Sequence, residues 1–463
     1  MIIAAESTFA RNRLNERSRC GAAKIKVAHK QLTRLIAHLD MDAFFASVEL
    51  LRFPQLQGLA LVVGGRSKSI MQHMQSLLAQ CGSYDKIAAE DMPRLRQYQG
   101  RGVITTASYA ARAFGIGSGM GLMKAAARCP EAILLAADFE RYRDYSRRFK
   151  ALILAQGLQI EDRGIDEIYI DLSHCKDIEE AAWLSRELQT KIFQTTGLSC
   201  SIGLAPNKLL AKIASDLQKP SGLSILTHAL IEEKLWPLPV SRLHGVGPRT
   251  AAKLHALGLH TIAQLAQSKP IALQSHLGAA HSRWLVDASW GIDERPLVLS
   301  SEPLSMSRET TLERDMHPKW DRKELGAVFT RLCQQLADDL QQKERLCRGV
   351  SVKIRNDQFK TSTRNVSFEQ AINHAFDLRH WASQCLKRFS FDRRIRLLGV
   401  KASRLTSQQA ATASPAEPKS DLHYEGSHLK SQAAAGLEQS PPCAPTQHPL
   451  WPELEPIPKP PVI

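Results

Sequence analysis

Paired cysteines are missing from this sequence. Its nine cysteines, Cys20, Cys81, Cys129, Cys175, Cys200, Cys333, Cys347, Cys385 and Cys443, form no C-x-x-C pair, and no histidine stands near them at metal-site spacing. A disulfide scaffold and a zinc ribbon are thereby excluded, and the thiols are expected to pack, reduced, as small hydrophobic side chains of a cytoplasmic protein. Long apolar runs are missing too: no window approaches the roughly 18 residues a membrane span needs. The apolar start Met1 to Ala5 is too short for a signal peptide. Acidic residues are in short supply, with 46 Asp and Glu against 61 Lys and Arg and a net charge of +15. The stretch after Arg404 holds three Lys and six acids, which leaves +18 on the residues before it. Such a surface attracts a polyanion. At 463 residues the chain is too long for one core, and roughly two to four domains are expected.

The scarce acids sit in unusual places. Leu39-Asp40-Met41-Asp42-Ala43-Phe44-Phe45 and Ile165-Asp166-Glu167-Ile168-Tyr169-Ile170-Asp171-Leu172 put carboxylates inside or at the end of apolar, β-branched runs. An ionised acid there is costly unless a cation compensates it. If the two strands lie side by side, Asp40, Asp166 and Glu167 converge and can hold two hard divalent cations, which prefer oxygen ligands. A pair of metals held this way serves phosphoryl transfer.

Around these strands the pattern alternates. Arg34 to Leu39 reads as a strand and Phe44 to Leu51 as a helix, with Phe45, Val48 and Leu51 at helical spacing. Leu59 to Gly65 is a second strand, residues 66–100 a polar surface insertion, and 101–109 a third strand followed by a helical turn presenting Arg112. A helix is expected over 138–157, a strand over 165–172, a helix over about 177–195, a strand over 199–205 and a helix over 208–217, stopped by Pro220 and Gly222. The class is α+β, with a βαββαβ order that sets the first strand beside the third.

From Leu243 the text changes to Leu-His-Gly-Val-Gly-Pro-Arg-Thr. A hairpin with Gly245 and Gly247 opening a helix exposes N–H groups that suit a phosphate, the helix–hairpin–helix pattern of sequence-independent DNA binders. A tight turn packing two helices without any ligand is the alternative. Residues 303–404 form a second βαββαβ unit, with a helix over 322–342 carrying Leu325, Phe329, Leu332, Leu336 and Leu340 on one face. Its many cations, among them Arg308, Arg348, Lys353 and Arg396, favour contacts along a duplex backbone. Residues 1–30 read as a basic flexible leader or a nucleic-acid-touching arm. Residues 405–463 read as a disordered tail, in which Gln447, Leu450 and Trp451 form a short peptide suited to a hydrophobic pocket.

In this order the pieces resemble the Y-family DNA polymerases, most closely the bacterial DNA polymerase IV (DinB-type) branch, from about Leu35 to Ala402. The resemblance rests on HLDMDAFFASVE (38–49), RGVITTASYAARAFGI (101–116), GIDEIYIDLS (164–173), SCSIGLAPNKLLAKIASDLQKPSG (199–222) and LHGVGP (243–248). It implies a right-hand fold with a ferredoxin-like palm (31–52 and 131–228), small fingers (53–130, with the insertion 66–100), a helix–hairpin–helix thumb (229–300) and a little finger (303–404). It implies template-directed addition of deoxynucleotides to a primer 3′ hydroxyl, error-prone and tolerant of damaged templates, without proofreading, in DNA damage tolerance and untargeted mutagenesis.

The resemblance also assigns residues. Two Mg²⁺ ions would be held by Asp40, Asp166, Glu167 and the Met41 carbonyl, with Glu167 beside the attacking hydroxyl. Tyr109, Arg112 and Lys219 would contact the triphosphate, and Phe45 would stand under the sugar and exclude a 2′ hydroxyl. Gly245, Gly247, Arg308, Arg348, Lys353 and Arg396 would touch DNA, and the 447–451 peptide would dock on a sliding clamp. The partners are then primer-template, deoxynucleoside triphosphates and the clamp, for a monomer that meets no membrane. Three departures stand out: Gly164 where the family has Ser, the length of 66–100, and a docking peptide twelve residues before the end. The rival readings are a catalytically dead, clamp-bound scaffold, which should have lost one of the acids, and a nucleotidyl cyclase, which would not need the helix–hairpin–helix segment.

Overall fold

The computed structural model describes residues 34–65 and 68–408; the expected leader over 1–30 and the Gln447, Leu450 and Trp451 peptide lie outside the described residues. The chain divides into two units, Met1–Ser301 and Glu302–Ile463.

Among the described residues, eight strands build the sheets of the first unit: β1 (Ile36–Met41), β2 (Leu61–Gly64), β3 (Ile104–Ala107), β4 (Ile133–Leu135), β5 (Ile160–Asp162), β6 (Glu167–Asp171), β7 (Cys200–Ala205) and β8 (Leu223–Ile225). The main sheet runs β5-β6-β1-β7-β8. β1 is central and antiparallel to both neighbours, with Asp40 opposite Glu167 on one side and Ser201 on the other. This is the ferredoxin-like order expected of the βαββαβ pattern. Every residue of β1 and β7 is buried, so His38 and Asp40, which alternate with Ala37, Leu39 and Met41 along β1, are enclosed with them.

Helices Phe139–Leu154 and Ile178–Thr196 cover one face, through Tyr142, Phe149, Ile153, Leu188 and Ile192 packed with Leu39, Ile168 and Ile170. Each starts on a short acid: Asp138 accepts from the Arg141 N–H and Asp177 from the Glu180 N–H, the N-cap arrangement that satisfies an orphan donor. Helix Lys208–Ser215 covers the other face and joins a second core with Ile36 and Tyr169. It comes so close that a Cβ on Gly203 would lie 2.1 Å from the Ala211 carbonyl oxygen and 2.3 Å from the Ser215 nitrogen.

A small sheet, β3-β2-β4, carries its own core with Leu95, Tyr98, Ile104 and Leu122. Residues 66–100 correct the expectation of a surface insertion. Helix Lys68–Cys81 and three single turns follow one another, but Leu77, Ile87, Met92, Leu95 and Tyr98 are buried. Gln55 fastens the stretch by donating from Nε2 to the carbonyls of Tyr84 (2.8 Å) and Ile87 (2.7 Å). Apart from Leu77 on that helix, the buried apolar residues sit on or beside irregular turns, so no helical or strand period betrays them. Four helices, Pro248–Ala256, Ile262–Ala266, Pro270–Leu277 and Ala279–Ser289, complete the unit. Thr261 and Gln264 form a capping box at the second.

The second unit contains β9 (Ser305–Met316), β10 (Arg345–Asn356), β11 (Thr361–Ile372) and β12 (Ile395–Ser407), with helices Arg322–Gln342 and Ala375–Leu386 on one face. Its element order is the expected βαββαβ, but its antiparallel sheet runs β11-β10-β12-β9, not the order of the first unit. The tail boundary also moves: Leu405, Thr406 and Ser407 continue β12, opposite Cys347, Leu346 and Arg345. Among the described residues no helix is long and apolar enough to cross a membrane, and the seven described cysteines are unpaired.

Candidate active site

Strand period puts His38, Asp40 and Asp42 on one face of β1, and all three are buried. Ala43 then turns the chain with a left-handed backbone (φ 44°) into helix Phe44–Leu50, a conformation that costs an alanine about 1 kcal/mol. The Met41 N–H donates to the Asp166 carbonyl at 3.1 Å, so the end of β1 is stitched to the turn entering β6. Asp40, Asp166 and Glu167 thus meet at one strand junction.

Three acids here, Asp40, Glu167 and Asp42, have identifiable partners. Asp40 lies 2.8 Å from the Lys219 ammonium, which also reaches Asp216 at 3.0 Å. Glu167 lies 2.8 Å from Lys212 and 3.9 Å from His38 Nε2. The His38 Nδ1 faces the Ser215 hydroxyl at 2.8 Å. Asp42 accepts from the Ser199 and Ser201 hydroxyls (2.9 and 2.7 Å) and from the Ser221 N–H (2.8 Å), and so ties the loop bearing Lys219 to β1.

Burial pushes Asp40 from 3.8 up to about 7 even against the pull of Lys219. It also raises Asp166, helped by the neighbouring Glu167 charge. Glu167 goes the other way, held low by the His38 imidazole and the Lys212 ammonium; with His38 at 3.9 Å and itself pushed down to about 4 by burial, Lys212 is the closer and charged partner. Burial works against the Lys219 ammonium, but Asp40 and Asp216 raise it overall.

These residues fit a divalent cation. The donors are carboxylate oxygens and strand carbonyls, the set a hard ion prefers. Two of the acids are under-compensated in their ionised form, and a lysine ammonium stands on Asp40 where a metal charge could stand. Among the described residues no three His, Cys, Asp or Glu side chains yet converge on one point, because Glu167 is turned to Lys212 while Asp40 faces Lys219.

The other expected residues fall into three groups. Tyr109 opens the short helix Tyr109–Arg112, capped by Ser108. The Arg112 guanidinium lies 4.9 Å from the Tyr109 ring centre and donates from Nε to the Ala107 carbonyl at 3.0 Å. Burial and the Asp42 carboxylate raise the Tyr109 phenol, which places it in the field of the same acids. Phe45 is half-buried beside the fully enclosed Phe44, its ring 4.5 Å from Tyr142.

Gly245 has φ 97° and packs where a Cβ would meet Trp284 at 2.6 Å, and Gly247 stands at the N-cap of Pro248–Ala256. In the second unit Arg308 pairs with Asp339 on the helical side (2.5 Å), whereas Lys353, next to the core residue Val352, pairs with Glu309 at 2.7 Å on the opposite face. Arg348 donates to the Glu369 carbonyl at 3.0 Å, and Arg396 lies 3.7 Å from Asp315 and 4.5 Å from the Phe359 ring centre. The structure therefore does not gather Arg308 with Lys353 on one surface.

Sequence reasoning assigned no role to His38, Asp42 or Lys212, although the two-residue period of β1, continued one residue past its end, marks the first two. It also passed over a buried pair: Lys208 Nζ lies 2.7 Å from Glu161 Oε2, with neither side chain more than 6% exposed. Nothing in the text signals that pair.

The chain matches the impB/mucB/samB family over residues 39–216, that family's C-terminal domain over 303–414 and the IMS family HHH motif over 230–259. It is 32% identical to Bacillus subtilis DNA polymerase IV 1 over 381 residues, covering 82% of this chain and 84% of that protein. It is 33% identical to Streptococcus pneumoniae DNA polymerase IV over 372 residues, covering 80% and 96%. Among solved structures, a chimeric Y-family DNA polymerase superposes with a TM-score of 0.66 at 23% identity, over 81% of this chain and 99% of that one. An insertion ternary complex of Dbh DNA polymerase superposes at 0.55, again at 23% identity over 81% and 99%. By sequence the chain belongs to the impB/mucB/samB family, among the DNA polymerase IV proteins, and its fold is that of the Y-family DNA polymerases.

Proposed function

We propose that this chain, a DNA-directed DNA polymerase by family, extends a primer 3′ hydroxyl opposite damaged as well as intact template bases and does so without proofreading. The observation that supports the chemistry is the junction of β1 and β6, where Asp40 faces Glu167 across the ladder and the Asp166 carbonyl accepts from Met41. Asp40, Asp166 and the Met41 carbonyl would hold Mg²⁺, with Glu167 completing the set. When bound, two such ions neutralise charge on the triphosphate and favour the ionised primer hydroxyl.

The chain's own side chains do the rest. Lys219, released from Asp40, acts as a point charge on phosphate oxygens, while Arg112 and Tyr109 donate hydrogen bonds to them. Glu167 accepts at the hydroxyl that attacks. Phe45 presents an apolar wall to the sugar and rejects a 2′ hydroxyl by clash. In this reading residues 31–52 with 131–228 are the palm, 53–130 the fingers, 229–300 the thumb and 303–404 the little finger. Gly245 and Gly247 offer backbone N–H groups to DNA phosphates, Arg348, Lys353 and Arg396 track the duplex, and Gln447, Leu450 and Trp451 tether the enzyme to a sliding clamp in the cytoplasm.

The test is a labelled primer-template with a mispaired 3′ end, given Mg²⁺ and deoxynucleotides, on intact and abasic templates. Extension without shortening is expected on both. Shortening would contradict the absence of proofreading, and failure on the abasic template alone would contradict damage tolerance.

A further inference from the structure

Phe45 can reject a ribose only if its ring does not yield when a 2′ oxygen presses on it, and the structure shows what stands behind it. Tyr142, wholly buried on helix Phe139–Leu154, lies with its ring centre 4.5 Å from that of Phe45 at an interplanar angle of 34°. The edge of Phe139 approaches Phe45 at 5.8 Å. Tyr142 is not simply core: its hydroxyl donates to Oε1 of the buried Glu49 at 2.6 Å.

Glu49 follows Phe45 by four residues on helix Phe44–Leu50, so one helical face carries both the ring and the anchor of its backstop. Glu49 in turn pairs with Arg52, whose guanidinium lies 5.0 Å from the Tyr84 ring centre, 5.7 Å from that of Phe53 and 3.5 Å from Asp138. Tyr84 belongs to the 66–100 stretch, which thus lends a partly buried ring to the end of this series. An apolar side chain at 142 would fill the same space without burying a carboxylate and a hydroxyl, which is costly unless orientation matters. Burial raises Glu49, and burial with the adjacent Glu49 charge raises the Tyr142 phenol, so the phenol keeps the proton it donates.

We infer that Tyr142, oriented by the Glu49–Arg52 pair, is a positioning residue for sugar discrimination, fixing the Phe45 ring against the incoming nucleotide. The inference rests on the reading of Phe45 given above, and the experiment separates the two. The ratio of kcat/KM for a deoxynucleotide to that for the matching ribonucleotide is measured for the wild type, Phe45→Val, Tyr142→Leu, Tyr142→Phe and Glu49→Gln.

Phe45→Val is expected to abolish most of the ratio. Tyr142→Leu should lower it by about tenfold, through a smaller ribonucleotide KM and with little change in deoxynucleotide kcat. Tyr142→Phe, which keeps the ring and loses one hydrogen bond, should lower it by about threefold, and Glu49→Gln, which still accepts from the phenol, should stay within about twofold of wild type. If Tyr142→Leu does not fold, the contrast between Tyr142→Phe and Glu49→Gln decides. Wild-type ratios in the Tyr142 variants beside a collapsed Phe45→Val overturn the inference, and an unchanged Phe45→Val overturns the reading beneath it.

Discussion

Replacing Glu161 by methionine removes one partner of an ion pair that has almost no access to water. Lys208 and Glu161 have side chains 6% and 2% exposed and a separation of 2.7 Å, and Glu161 also accepts from the Val298 N–H at 2.8 Å. Stripping one member from such a pair costs about 3–5 kcal/mol, because the other charge stays buried without compensation. Lys208 would keep the Pro296 carbonyl at 3.1 Å and the face of Tyr169 at 5.4 Å, which sets the expectation at the lower end, about 3 kcal/mol. For a unit of this size that corresponds to a fall in Tm of about 6 °C. The double variant Glu161→Met with Lys208→Met removes both charges and should recover more than half of the loss. Thermal and urea unfolding followed by circular dichroism gives both quantities. A single variant within about 0.5 kcal/mol of wild type, or a double variant no better than the single, would refute the assignment of the pair as a buried, mutually dependent unit.

Three further outcomes follow from particular contacts. Gly203→Ala should destabilise by about 3 kcal/mol or more, since the new methyl meets backbone at 2.1 Å, whereas Gly164→Ser should be tolerated because only Asp166 Oδ1, at 3.9 Å, comes near; equal melting temperatures for the two would count against the close helix–strand packing. In metal-free protein Asp40 binds its proton more tightly folded than unfolded, so its share of stability declines as pH rises from its ordinary 3.8 towards about 7. Mg²⁺ needs the ionised form, so the gain in Tm on adding Mg²⁺ should grow between about pH 5 and pH 8, and a gain independent of pH would contradict this. Deleting residues 447–463 should abolish stimulation by a sliding clamp while leaving clamp-free synthesis intact, because a tether acts only through effective concentration; equal stimulation of both forms would return the segment to linker.

Much of the fold was legible where period and chemistry agreed. Leu325, Phe329, Leu332, Leu336 and Leu340 mark the helix Arg322–Gln342 to the residue, and the acids within apolar runs mark the meeting of β1 and β6. Three-residue strands such as β4, β5 and β8 are too short to show a period. The 66–100 stretch misled because its buried residues other than Leu77 lie on or beside single turns. β12 runs past Arg404 because β10 offers it partners as far as Ser407, a pairing that composition cannot reveal. Arg308 read as one of a basic cluster, but strand alternation and Asp339 send it to the helical face. At the site the acids were visible, while His38, Lys212 and the Asp42 clamp became meaningful only once β1, β6, β7 and the helix at 208–215 were brought together.

The central claim is that Asp40, Asp166 and Glu167 form the site of nucleotide addition, and primer extension with Mg²⁺ on an undamaged template, comparing wild type with Asp166→Asn, tests it most directly. Removing an ionised metal ligand while keeping its shape should lower kcat by a factor on the order of 1,000 or more, with primer-template binding retained. Template-matched extension by the Asp166→Asn protein at a rate near that of wild type would contradict the account.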